Sequence, residues 1–122
     1  MSSTPALLVR LCGSAEWSRA RDRGAIHPES PGRFVHLSTL EQVHLPANRL
    51  YRGRSDLVLL YIDPAALDSP LHWEPGVATD PESVLFPHLY GPLPLRAVVR
   101  VSAYPPAPDG TFPPAQQAQE ST

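Results

Sequence analysis

The chain has 122 residues, ten basic and twelve acidic side chains for a formal charge of −2, one cysteine and sixteen prolines, enough for one modest domain. All ten basic residues are arginine, which excludes a lysine Schiff base or a phosphate-loop lysine. The near-neutral balance excludes a generic DNA-coating protein, whose affinity grows with the phosphates it neutralises.

The lone Cys12 excludes an internal disulfide and a cysteine-rich zinc site, and a reducing compartment suits it. No apolar run approaches the roughly 20 residues of a membrane-spanning helix. Met1-Ser2-Ser3-Thr4-Pro5 has no charged region ahead of an apolar core. The sequence therefore predicts a soluble, unprocessed, cytoplasmic protein with neither DNA nor membrane as partner, and leaves the oligomeric state open.

Ala6 to Leu11 is a short apolar run that predicts a first strand, closed by Gly13. Ser14 is placed to cap a helix through Arg23 that stops at Gly24. Pro28, Pro31 and Gly32 mark Gly24 to Arg33 as a loop. Phe34-Val35-His36-Leu37 alternates like a strand. Ser38-Thr39-Leu40-Glu41 has capping-box spacing and predicts a second helix from about Thr39, kinked or restarted at Pro46 and ended by Gly53. Leu57 to Ile62 is six apolar residues in a row and predicts a central strand covered on both faces. Short extended segments follow at Leu71–Glu74, Leu85–Tyr90 and Leu95–Val101. The last stretch, 103–122, holds five prolines among polar residues and reads as a disordered tail. The expectation is an α+β fold with two helices in its first half, a single domain over residues 5–102, and a Pro-rich flexible tail over 103–122.

Four clusters carry more polar function than a small core needs. His36, Ser38 and Thr39 stand where a strand delivers an imidazole and two hydroxyls to a helix start, a place suited to a phosphate or carboxylate; the plainer reading is a capped helix. Arg49, Arg52 and Arg54 interleave with Tyr51, with Arg49 and Arg52 expected on one helix face as guanidinium donors to an anion; the plainer reading is a solvated face. Glu74 follows Trp73, whose ring can shift a carboxyl pKa; the alternative is an ion pair with an arginine. His88 sits in Phe86-Pro87-His88-Leu89-Tyr90-Gly91, a rigid stretch that fixes an imidazole for acid–base work; the alternative is packing that closes the sheet. His27, His44 and His72 lack metal-ligand spacing, so no metal site is predicted. Cys12 reads as a small buried apolar residue.

In their order, Trp17, Phe-Val-His-Leu-Ser-Thr (34–39), Glu41-Gln42, Ala47-Asn48-Arg49, Tyr51-Arg52-Gly53, Asp56 to Leu60, Ile62-Asp63, Trp73-Glu74 and Leu85-Phe86-Pro87-His88-Leu89-Tyr90-Gly91-Pro92-Leu93 resemble the small bacterial domain-of-unknown-function 952 family, from about Leu7 to Val101. That family is grouped by fold with the ADP-ribosyltransferase-like domains, so the resemblance implies a small split β-sheet. His36, Ser38, Thr39, Glu74 and His88 match its motif positions. The chain departs from the pattern at Val9-Arg10-Leu11, where a first-strand His motif is usual, and at Leu37, where a Cys is usual. Arg10 is the departure that bears on ligand contact.

The resemblance implies a cleft for a nucleotide such as NAD, or another phosphorylated or carboxylated small molecule. Arg10, Arg49, Arg52, Ser38, Thr39 and Tyr90 would be ligand-binding and His36, Glu74 and His88 catalytic. NAD is the one candidate cofactor. Two other readings stand beside this transferase-like one: a small-molecule cyclase or isomerase using histidine and a carboxylate, and a binding module without catalysis. A cleft with dinucleotide room where Arg10, His36, Ser38 and Glu74 converge favours the first, and a narrow pocket with a histidine beside one carboxylate favours the second. In either case, replacing His36 or Arg10 with Ala is expected to abolish binding at little cost in stability.

Overall fold

In the computed structural model, described over residues 6–28, 33–75 and 84–115, the chain runs β1 (Leu8–Gly13), α1 (Ser14–Arg23), β2 (Ala25–Ile26), β3 (Val35–His36), α2 (His44–Leu50), β4 (Leu57–Ile62), β5 (Leu71–Pro75), β6 (Leu85–Leu89), β7 (Leu93–Pro94) and β8 (Val98–Ala103). Two helices and three antiparallel sheets, ordered β1-β4-β8, β2-β7 and β3-β6-β5, make it an α+β fold.

The apolar run 57–62 is the middle strand of the first sheet, and both its faces are covered. Leu60 and Ile62 join one buried cluster with Leu8, Cys12, Ala20, Val35 and Leu89. Leu57, Leu59 and Tyr61 join the other with Val9, Val43 and Ala47. Strand alternation thus divides the core into two halves, one under α1 and the third sheet, the other under α2.

Helix α1 begins one residue earlier than a Ser14 cap requires. Gly13 is the N-cap and offers no side chain, while the Ser14 amide donates to the Asp56 carbonyl at 2.9 Å. Gly24 ends the helix as expected: its φ of 88° is open to glycine, and its N–H donates to the Ala20 carbonyl.

The second helix starts at His44, not near Thr39. The reciprocal bond lies one residue along from the expected box: the Thr39 amide donates to Gln42 Oε1 at 3.0 Å, and residues 40–43 are a turn. Pro46 then falls in the first helical turn, where its missing N–H is tolerated, so it neither kinks nor restarts α2. The helix closes at Leu50, ahead of the turn at 51–54, which places Arg52 outside it. Arg49 and Arg52 therefore do not share a helix face.

Two short strands were read as loop or missed. Ala25–Ile26, within the expected loop, pairs with Leu93–Pro94; Pro31 and Gly32 of that loop lie outside the described residues. The expected disordered tail is also corrected over its first part. Tyr104 and Phe112 are buried in the α2 half of the core at 5% and 3% exposure, because two aromatic rings bury enough apolar surface to hold a Pro-rich segment. Residues 116–122 lie outside the described residues.

Pro87 controls how the two larger sheets meet. It stands opposite Leu37, accepts the Leu37 amide at 3.0 Å, and has no N–H to return. Pairing of β3 with β6 stops there. The chain crosses at once to β1, where Ser38 and Val9 exchange both backbone bonds at 2.8 Å. The junction at residues 36–38 is where the candidate site forms.

Candidate functional site

The third sheet has a core face and a polar face. Val35, Leu89 and Leu71 lie in register on the first. One residue along, His36, His88 and His72 lie in register on the second. Period-two alternation brings Phe34, Glu74, Phe86 and Tyr90 to that same face. Phe34 stacks on His88 with ring centroids 4.0 Å apart and meets His36 edge-on at 4.8 Å. The His36 and His88 rings are 5.2 Å apart and nearly perpendicular.

His88 is only 2% exposed. Its Nδ1 lies 2.8 Å from Glu74 Oε1, and the Tyr90 hydroxyl donates to the same oxygen at 2.7 Å. These two donors, Tyr90 first, hold the Glu74 carboxyl below its ordinary value, and the carboxylate in turn holds the Tyr90 phenol above its own. An ionised Glu74 only accepts, so the proton on a neutral His88 resides on Nδ1 and Nε2 presents a lone pair. That Nε2 is buried and has no hydrogen-bond partner among the described residues.

His88 lines a cleft of about 350 Å³ between the third sheet, the end of β1, the start of α1 and α2. Arg10, Glu16, Arg33, His36, Ser38, Arg49 and Tyr51 also line it, so its lining holds three arginines and one carboxylate residue. Arg10 is braced on two sides: one Nη donates to the His36 carbonyl at 3.0 Å, the other to Glu16 Oε2 at 2.7 Å. Its Nε is buried without a partner among the described residues. Cys12 lies near the same carboxylate; burial above all, with Glu16 beside it, pushes its thiol up to about 12, so no thiolate forms there near neutrality.

Of the nine residues expected to form the site, Arg10, His36, Ser38, Arg49 and His88 line the cleft. Glu74 and Tyr90 connect to it through His88. Thr39 is occupied in the turn before α2, and Arg52 lies beyond the helix; neither lines the cleft. Sequence reasoning missed Glu16 and Arg33, and with them the Phe34 ring that stacks on His88. Phe34 carried a signal, its two-residue spacing from His36; Glu16 carried none, since its contact with Arg10 crosses a strand-to-helix turn. Among the described residues no three histidine, cysteine or carboxylate side chains group as a metal site. No helix among them is long and apolar enough to cross a membrane.

The model of a family described as "Protein of unknown function (DUF952)" matches residues 11–101. The crystal structure of protein CC0527 from Caulobacter crescentus is similar to this chain at 31% identity and a TM-score of 0.73, covering 88% of this chain and 93% of that one. Its solution NMR structure gives 31% identity and a TM-score of 0.72, covering 88% and 92%. No curated protein matches the chain.

Proposed function

The chain belongs to the DUF952 family, and from that premise we propose that its cleft binds a small molecule bearing a carboxylate or phosphate and that His88 exchanges a proton with it at Nε2. One observation carries this reading: a buried imidazole among the residues lining an arginine-bearing cleft is held at Nδ1 by a carboxylate, and its Nε2 has no hydrogen-bond partner among the described residues. Arg10 and Arg49 supply the positive field for the acid group, and the Ser38 hydroxyl a polar contact. Glu74 fixes the tautomer of His88 and offsets the charge of the imidazolium that forms when Nε2 takes a proton. Returned to another atom of the same molecule, that proton completes an isomerisation or ring closure with no co-reactant.

Size supports this reading over the transferase-like one. About 350 Å³ lies at the low end for small-molecule sites, roughly 300–1,000 Å³, and suits a ligand well short of a dinucleotide. Glu74, moreover, is engaged by His88 and Tyr90 and does not line the cleft. The likeness of fold to ADP-ribosyltransferases therefore stays a proposal about architecture only, supported by the split of the sheets and by Arg10 on the first strand.

The test is a titration of the ¹⁵N-labelled protein with inorganic phosphate and with malonate. Saturable shifts at Arg10, Ser38, Arg49 and His88 are expected, weakened at least about tenfold in Arg49→Ala. Shifts scattered over exposed arginines, or none, would overturn the reading.

A further inference from the structure

Helix α2 supplies one wall of the cleft through Pro46, Arg49 and Leu50, yet it has little to hold it. It is seven residues long, too short to persist unaided. Ala47 is its one buried residue, while Leu45 and Leu50 are exposed.

What grips it is the segment 104–115, which lies beyond the residues matched to the family. The Asn48 amide docks on the backbone of Phe112 in the manner of a neighbouring strand: Nδ2 donates to the Phe112 carbonyl at 3.0 Å, and the Phe112 amide donates to Oδ1 at 2.7 Å. Just past the helix, the Gly53 amide donates to the Gly110 carbonyl at 2.9 Å. The segment is itself built to keep this shape. Asp109 accepts from the Thr111 amide and hydroxyl, and the Tyr104 hydroxyl donates to the Pro113 carbonyl at 2.5 Å. Tyr104 and Phe112 pack 5.2 Å apart in the cluster that contains Ala47. Consecutive residues of a helix point about 100° apart, so the side gripped at Asn48 and the side turned to the cleft at Arg49 are adjacent.

We propose that residues 104–115 are a clasp that positions α2, with Asn48 as the positioning residue, so that loosening it weakens anion binding without touching any group in the cleft. This rests on reading the cleft as an anion site. Two variants of the full chain loosen the clasp from opposite sides. Asn48→Ala removes the amide, and Gly110→Ala strains a backbone whose φ of 89° disfavours a side chain. Ile62→Val, a mild cavity in the other half of the core, is the control for lost stability alone.

Affinity for inorganic phosphate and hydrogen exchange of the α2 amides are measured where all variants remain folded. Both clasp variants are expected to bind phosphate about tenfold more weakly and to exchange faster over 45–51, while Ile62→Val at equal loss of melting temperature does neither. Unchanged affinity and exchange in the clasp variants, or an equal effect in Ile62→Val, would overturn the proposal. If the unaltered chain binds no phosphate, the anion reading fails, and the clasp then stands or falls on the exchange of α2 alone.

Discussion

Glu74 Oε1 receives Nδ1 of His88 at 2.8 Å and the Tyr90 hydroxyl at 2.7 Å, so one carboxylate oxygen fixes which nitrogen of a buried imidazole carries the proton. The strands explain why these residues meet. Glu74 and His72 stand opposite Phe86 and His88 in the β5–β6 ladder, and alternation sends all four side chains to one face of the sheet.

Replacing Glu74 with Leu is therefore expected to release the tautomer of His88 rather than the fold. Nδ1 loses the one acceptor oxygen it shares with Tyr90, and nothing then holds the imidazole proton on Nδ1. The ¹⁵N shifts of the His88 ring report this directly. An Nδ1-protonated ring in the parent protein and a ring no longer held in that tautomer in E74L are expected; an Nδ1-protonated ring in both would sink the assignment.

Tyr90→Phe removes the first of the two donors that hold Glu74 down, so the carboxyl should titrate closer to its ordinary value near 4.5. A depressed carboxyl pKa in the folded protein means that its stabilising contribution is complete above that ordinary value and is lost as pH falls through the lower folded value. The parent protein should accordingly lose more stability than Y90F between pH 5 and the acid limit of folding. Carboxyl ¹³C shifts against pH check the pKa, and melting temperature against pH checks the linkage; a Glu74 titration identical in the two proteins would contradict it.

Much of this arrangement was legible in the sequence where a local rule acts alone. Alternation in Phe34-Val35-His36-Leu37 placed His36 opposite the core face, and six apolar residues at 57–62 announced a strand covered twice. Legibility ended where partners are distant or residues sit one position from an alternative. Gln42 rather than Glu41 closes the turn before α2, so the helix starts at His44, and it ends at Leu50, short of Arg52. Glu16 entered the site only because β1 turns directly into α1, bringing it within 2.7 Å of Arg10. The Pro-rich composition of 103–115 concealed Tyr104 and Phe112, whose burial depends on a surface made by β4 and α2.

The sequence alone predicts that Arg10→Ala costs little stability, whereas the contacts Arg10 makes in the structure predict a cost. Its loss strips a donor from the His36 carbonyl and leaves Glu16 without its guanidinium partner in a partly buried setting. A cost of about 1 kcal/mol follows, since water can reach the exposed His36 carbonyl while Glu16 is partly buried. Urea unfolding measures it, and Glu16→Gln in the same background should recover part, since removing the stranded charge relieves most of the penalty. An Arg10→Ala protein as stable as the parent would show that the pair is only a surface contact.

Gly91 follows Tyr90 and leaves no room for a side chain. A Cβ there would lie 2.0 Å from Ser69 Oγ and 2.6 Å from Ser69 Cβ, while the adjacent Tyr90 amide is tied to the Pro70 carbonyl at 2.8 Å. Neither strand segment can move apart without breaking that bond, so Gly91→Ala should cost about 1–3 kcal/mol as overpacking does. It should also shift the Tyr90 hydroxyl away from Glu74. Because the clash is with one side chain, Ser69→Gly in the same protein should restore most of the stability and the low Glu74 pKa together. A double variant no more stable than Gly91→Ala alone would place the strain in the backbone at Gly91 instead of in its contact with Ser69.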